Sequence, residues 1–427
     1  MSYLLSSVQR QLRFSRQTRS LWTKLTATGS SIEECVQVSV DSLKDLPSKP
    51  DVCFVLASKS FSLNNYRQLA TDIQSHIKPT VFLGGVVDRV AQLDHGISLL
   101  LGYNEQIVPF TIEDSKDRHK VRSIAVGRWG RAEDRERLAY QSDHIDRIGL
   151  GNLDSISTPA RAHQLPTGVD PEKKPSFVLT VSDHEPDHLF QAFDHYFPDI
   201  PKLGILGAST PFVTGEPYAL FSQKKGMMGS GIVGFASYGQ GQADVRIEHT
   251  AMQALGEPMK ITRCRGNIIL DLEEGGATGL LLRLIHGNKT GAQISKDEEF
   301  YLGVYPLNDD SEANMTVSRI TSGDPSRGNM SVDTNVDLQV GQVVQFMRKT
   351  PSGFRNVAND PVKDQEFVLG VSSKDHTIDA APVQIPEETT VLTDTFGGIS
   401  ENGIIVGRSN LPSEVLDVPF SKAIFKL

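Results

Sequence analysis

His184-Glu185-Pro186-Asp187-His188 places two histidines and a glutamate at the spacing of a zinc hydrolase. In such an enzyme both histidines lie four apart inside one helix, their rings converge on the metal, and the glutamate activates water. The residues around this motif work against that geometry. The preceding "FVLTVS" is apolar and strand-like, Ser182 or Asp183 suits a helix cap, and Pro186 suits a first turn. An earlier helix start would drive the proline ring into the preceding turn. His184 is therefore expected at or before the cap, and His188 a turn inside, with no shared face. His195 follows His188 by seven residues on roughly the same face, but no third ligand stands at regular spacing. The expectation is a histidine-rich strand–helix junction, with no metal and no catalytic residues.

The other chemistry-bearing groups are sparse. Cys35, Cys53 and Cys264 are odd in number and form no C-x-x-C, which argues against a disulfide framework and a thiolate zinc site. Cys264 lies between Arg263 and Arg265, where an exposed thiol would have a lowered pKa; a buried, inert thiol is the plainer reading. Neither G-x-x-x-x-G-K-[ST] nor G-x-S-x-G occurs, so the glycine-rich turns match no known phosphate cradle or hydrolase elbow. "ILGASTPFVTGEP" offers backbone N–H groups, Ser209 and Thr210 to a small ligand, and equally suits a strand end with turn hydroxyls.

Elements that would hold such turns recur along the chain. "DVCFVLAS" (51–58) reads as a strand and "LNNYRQLATDIQSHI" as a helix, with Tyr66, Leu69, Ile73 and Ile77 on one side. Strands follow in "PTVFLGGVVDRV" and "HGISLLLGYN". The same order returns in "PSFVLTVS", "PDHLFQAFDHYF", "IPKLGILGASTPFV" and "SGIVGFASYG". The spacing aligns Gly84 with Gly207 and predicts an internal repeat, copies about 51–103 and 175–239, of a strand-helix-strand-strand unit. The intervening linker, roughly Asn104 to Lys174, is polar; "GLGNLDSISTPARAHQLPTGVDPEKKP" within it reads as loop and "RAEDRERLAYQSDHIDRI" as a solvated helix. Beyond about residue 250 the pattern becomes strands and polar hairpins with one helix near 277–285. The expected fold class is α+β, mixed β-sheets with helices packed on them.

The N-terminus differs from the body. Residues 1–31 carry Arg10, Arg13, Arg16, Arg19 and Lys24 and no acid, with Leu4, Leu5, Val8 and Leu12 able to share a helix side. This is the composition of a mitochondrial presequence, with Arg13-Phe14-Ser15 as a matrix-processing position; a basic solvated tail, and a cytoplasmic protein, is the alternative. Without those residues, 38 basic side chains face 52 acidic ones, a poor surface for nucleic acid. No apolar run reaches the roughly 18–20 residues of a membrane helix.

In this order, "VFLGGVVD", "PKLGILGASTPFVTGEPYALF", "GSGIVGFASYG", "KITRCRGNIILDLEEGGATGLLLRL" and "FGGISENGIIVGR" resemble the FIST (F-box and intracellular signal transduction) family across roughly residues 45–425. "ASTPFVTGEP" is similar to its eukaryotic branch. The resemblance implies a FIST N-type region at 45–250 and a FIST C-type region at 251–427. It also implies a sensory module for small, amino-acid-like ligands, without enzymatic activity, signalling through an unknown protein partner. No F-box-like helical segment precedes residue 45, so a ubiquitin-ligase-type recruitment role is the alternative and an unrecognised enzyme the third. The cofactor is unknown, and no histidine matches a haem motif. Gly84, Gly85, Gly207, Ser209, Thr210, Gly397, Gly398, Glu401 and Asn402 are the expected ligand-binding residues.

Overall fold

Alternating side chains buried on both faces of short strands define the architecture. In β2 (Val52–Ser58), Val52, Phe54 and Leu56 face one apolar cluster while Cys53, Val55 and Ala57 face another. A strand buried on both sides must be covered by two layers. The computed structural model describes residues 21–43, 49–91, 93–103, 105–113, 164–183, 186–239, 241, 243–287, 298–309, 311–334, 336–350, 366–372, 386 and 388–427. The fold class is α+β, with mixed sheets and few helices.

Three sheets share one strand arrangement. In the first, β2 and β3 (Val81–Val87) are parallel, β5 (Ile97–Tyr103) is antiparallel to β2, and β1 (Leu21–Thr28) is antiparallel to β5. In the second, β7 (Phe177–Ser182) and β8 (Lys202–Leu206) form the parallel pair, followed outward by β11 (Ile232–Ser237) and β6 (Ile107–Ile112). In the third, β19 (Glu366–Val371) and β21 (Gly397–Ser400) are parallel, followed by β24 (Ser421–Lys426) and β12 (Asp244–His249). A short strand then crosses from each sheet to another. β4 (Arg89–Val90) pairs with β21, β9 (Leu220–Ser222) with β3, and β22 (Ile404–Gly407) with β8. The exchange is cyclic, so each sheet is completed by a segment of a different one. Edge strands β10 (Gly226–Met228), β20 (Thr390–Thr393) and β23 (Glu414–Leu416) extend the first and second sheets.

The inner faces of all three sheets form one core. Trp22, Phe54, Phe177, Phe235, Phe367, Phe396 and Phe425 make a chain of ring contacts through it, with Phe367 and Phe425 at 5.1 Å and Trp22 and Phe177 at 5.6 Å. Each buried ring contributes on the order of 2 kcal/mol in area alone. Helices α1 (Ile32–Ser42) and α2 (Leu63–His76) cover the outer face of the first sheet, and α3 (Asp187–Tyr196) that of the second. Ser31 caps α1 by accepting the Glu34 N–H at 3.2 Å, and Glu34 reaches back to the Ser30 N–H at 2.9 Å.

Between β12 and β19 the chain makes a closed barrel from β13 (Met252–Arg265), β14 (Ile268–Leu272), β15 (Phe300–Val304), β16 (Thr316–Gly323), β17 (Met330–Val332) and β18 (Val343–Lys349). Leu280 and Leu281, from the helix Ala277–Gly287, pack into its core beside Ile261, Leu302 and Phe346. The barrel's entrance and exit lie together: Met252 pairs with Lys349, and the Thr350 N–H donates to the Ala251 carbonyl at 2.9 Å.

Several expectations change. The linker from Asn104 to Lys174 contains β6, whose "IVPFTI" closes the second sheet. Its expected solvated helix lies outside the described residues. Gly84 lies inside β3, paired with Val55, whereas Gly207 lies just past the end of β8. Residues 21–31, counted with the basic leader, supply β1 and the α1 cap. A boundary at 250 meets the barrel entrance, but it also parts β12 from β24 and β4 from β21.

Candidate functional site

The parallel pairs all end at one place. Where parallel strands stop, backbone N–H groups and loop side chains lie open at the carboxyl edge, the usual ligand position of such sheets. The Asp88 N–H donates to Ile399 O at 3.0 Å, the Ala208 N–H to Val86 O at 2.8 Å, and the Gly207 N–H to Ser182 O at 2.8 Å. These bonds tie the end of β3 to β21 and to the end of β8, and the end of β8 to that of β7.

Side chains gather on this junction. The Asp88 carboxylate is largely buried; one oxygen pairs with the Lys59 ammonium and the other accepts the Glu401 N–H at 2.7 Å. Lys59 Nζ also lies 4.0 Å from Glu401 Oε2, and its side chain stays 43% exposed, so it can still meet a solute. Asn402 donates its amide to the Gly207 carbonyl at 2.7 Å. Tyr218 stands against Gly207, where an added Cβ would come within 3.3 Å of its ring. The result is one accessible cation between two acids, with an amide at the side. This arrangement suits a group carrying both charges.

The sequence-picked residues divide in two. Glu401, Asn402 and Gly207 meet at the junction, and Ser209 is exposed beside it. Thr210 is buried and ties down its own loop: its hydroxyl donates to Glu216 O at 3.1 Å and its N–H to Pro217 O at 3.0 Å. Gly84, Gly85, Gly397 and Gly398 sit inside strands. A Cβ would lie 1.9 Å from Val55 O at Gly84, 2.7 Å from Val181 at Gly85, 2.5 Å from Val368 O at Gly397 and 2.7 Å from Leu56 at Gly398. Close approach of strands and sheets accounts for all four glycines. Lys59 and Asp88 were missed; the available signal was their position directly after strands "DVCFVLAS" and "VFLGGVV".

Other sequence candidates resolve differently. Helix α3 has Pro186 itself at its cap, not Ser182 or Asp183, and the Asp183 carboxylate instead accepts the Gly231 N–H at 2.7 Å. His188 is in the first turn of α3, while His184 and Glu185 lie outside the described residues. Among the described residues no three His, Cys, Asp or Glu side chains are placed to hold a metal. The Cys264 thiol is pushed up, not down, by partial burial and the Asp337 charge, and it donates to Leu338 O at 3.2 Å. Arg263 points outward and pairs with Asp271 at 3.0 Å. A Ser60 Oγ–His95 Nδ1 contact of 2.7 Å has the composition of a hydroxyl–imidazole pair, but His95 is buried against Phe61 and Ser60 also bonds Ser58. No helix among the described residues is long and apolar enough to cross a membrane.

A distinct cavity of about 180 Å³ lies between α3, the β22–β23 hairpin and the barrel residue Val336. Asp194 stands in its wall, paired at 2.9 Å with the wholly buried Lys202 and gripped by the Ser413 N–H at 2.7 Å and hydroxyl at 2.8 Å. Burial lowers the Lys202 pKa against the opposing pull of Asp194.

Compared with known proteins, residues 51–274, just over half of the chain, match the family model for the FIST N domain. No curated protein and no solved structure matches the chain.

Proposed function

The chain belongs to the FIST family, and from that premise we propose a non-catalytic sensory protein that binds a small ligand at the strand-end junction and signals through partner contacts. FIST domains are in general sensory domains of signal transduction. The observation that carries the reading is the meeting of Lys59, Asp88, Gly207, Glu401 and Asn402, brought from distant segments, at the carboxyl edge of the parallel strands. Lys59 suits a carboxylate, and Asp88 with Glu401 an ammonium, in keeping with the amino-acid-like ligand that the family resemblance implies. Ligand contacts at a point joining three sheets would bias their packing and so a partner surface. The shared strand arrangement supports internal repetition as the origin of the body. The basic leader supports a mitochondrial matrix location, and processing near Arg13-Phe14-Ser15 would leave β1 whole.

Native and denaturing mass spectrometry of the full chain test the ligand directly. A discrete small mass lost on denaturation, and absent from the doubly substituted Lys59→Ala, Glu401→Ala protein, is the expected result. A bare protein that retains a co-purifying polypeptide would favour recruitment instead. One observation favours that second reading: Phe212 is fully exposed and Val213 partly so, on the single turn Pro211–Thr214. Gly207→Val, which presses on Tyr218, should abolish ligand binding while the circular dichroism stays native.

A further inference from the structure

We propose that Ser60 is a nucleophile activated by His95 that accepts an acyl group from a small activated ester, making it a covalent modification site beside the strand-end junction. The observation that carries this is the Ser60 Oγ–His95 Nδ1 contact of 2.7 Å, the separation of a nucleophile from its base. The site stands on this pair and does not rest on the ligand reading at the junction.

Counting protons gives the hydrogen bonds a direction. The Gly96 N–H donates to Ser58 Oγ at 3.0 Å, so the Ser58 hydroxyl turns its own proton to Ser60 Oγ at 2.8 Å. For the Ser60 proton, His95 Nδ1 at 2.7 Å is a nearer acceptor than the Asp94 carbonyl at 3.2 Å. Donors thus run from backbone to Ser58, to Ser60 and to the imidazole, and each bond polarises the next. The base is held in place. Phe61 packs on its ring with centroids 4.1 Å apart, and Thr28 Oγ1 donates to the His95 carbonyl at 2.6 Å. Burial lowers the His95 pKa against the opposing pull of the Gly29 carbonyl, so the ring is the neutral base that the step needs. The charged neighbours are Lys59, which precedes Ser60 in sequence, and Asp94, which pairs with Arg89 at 2.8 Å.

Ser60 is half-exposed, on the short turn between the end of β2 and the start of α2. The cap residue of α2, Ser62, makes no side-chain bond to the helix, and the first turn carries no acid. That N–H end favours the negative charge that develops on an acyl oxygen under attack. In the step, a bond forms from Ser60 Oγ to the acyl carbon and the ester C–O bond breaks. The hydroxyl proton passes through His95 Nδ1 to the departing alkoxide. The products are an acyl-serine and a free alcohol.

The test uses p-nitrophenyl acetate on the full chain. It should release a single burst of p-nitrophenolate, matched by one acetyl group on the peptide that holds Ser60. Hydroxylamine should remove that group, as it removes a serine ester and leaves an amide on Lys59. The burst rate should climb with pH through one titration below about 6.5 and level off above it, because only the neutral imidazole takes the proton. His95→Gln should slow the burst about a hundredfold and erase this profile, and Ser60→Ala should abolish it. Melting curves confirm that both variants fold, and the wild-type pH profile needs neither of them. The proposal is overturned by the absence of a burst or by acetylation that leaves Ser60 untouched. A Ser60 burst indifferent to pH over that range, or one that His95→Gln leaves at the wild-type rate, overturns it too.

Discussion

At the scale of single residues, the strand-end junction separates glycines required by packing from one that leaves room. Gly84 faces the Val55 carbonyl, where a Cβ would sit at 1.9 Å; around Gly207 the nearest atom is a Tyr218 ring carbon at 3.3 Å. Gly84→Ala should therefore cost about 3 kcal/mol or more, because backbone must move, and Gly207→Ala about 1 kcal/mol or less. Urea unfolding of the two variants checks this, and equal losses would refute the distinction. His249 carries the clearest pH dependence. Burial and the nearby Arg408 charge lower its pKa to about 4, and its Nδ1 lies 2.6 Å from Ser421 Oγ. The folded state thus excludes a proton that the unfolded chain takes up below about pH 6.5, so stability falls as pH drops. The loss reaches about 2 kcal/mol between pH 7 and 5. Glu414, raised by burial, acts with the opposite sign, losing stability as pH rises above the ordinary carboxylate range. Comparing wild type with His249→Gln isolates the imidazole: the variant should lose about 2 kcal/mol less over that interval.

At the scale of elements, strands and helices with strong periodicity were readable from sequence, and those whose burial depends on a remote partner were not. Tyr66, Leu69 and Ile73 marked α2 because a helix face repeats locally. β1 was hidden because "LWTKLTAT" follows a basic, serine-rich leader and alternates weakly; its place between β5 and β20 comes from contacts far along the chain. Trp22 makes the consequence measurable. It stacks with Phe235 at 6.1 Å and meets Phe177 at 5.6 Å, joining the first sheet to the second. A chain beginning at Ile32 would leave β5 an unpaired, apolar edge, a template for aggregation. It should be insoluble or unfold without cooperativity, whereas a chain beginning at Ser15 should melt like the full protein. Equal melting of the two would show that β1 is dispensable. At the candidate site, Glu401, Asn402 and Gly207 were found because polar turns after strands are visible locally, while Lys59 and Asp88 gain their meaning only from meeting Glu401 across sheets.

At the scale of the whole molecule, the third sheet explains why sequence spacing saw two units where the strand arrangement occurs three times. Its first strand, β12, ends at His249 and its next, β19, begins at Glu366, with the barrel between. An insertion of that length hides any fixed period, and β4, β9 and β22 each complete a sheet other than their own. Cyclic exchange also makes the three sheets one cooperative body, since none keeps its edge when another unfolds. The barrel stands outside that exchange. Its ends meet at Ala251 and Thr350, and it has its own core. Its ties to the body include the Arg408 guanidinium donating to Asn314 O at 2.6 Å and Val418 packed on Tyr301. Joining Ala251 directly to Thr350 should therefore yield a body that folds cooperatively with a lower melting temperature, short of the seam contacts. It should retain the Lys59–Asp88–Glu401 junction and lose the cavity whose wall includes Val336. Hydrogen exchange and calorimetry on the shortened chain read both results. Loss of cooperative unfolding would mean that the barrel is a structural wedge on which the three sheets depend.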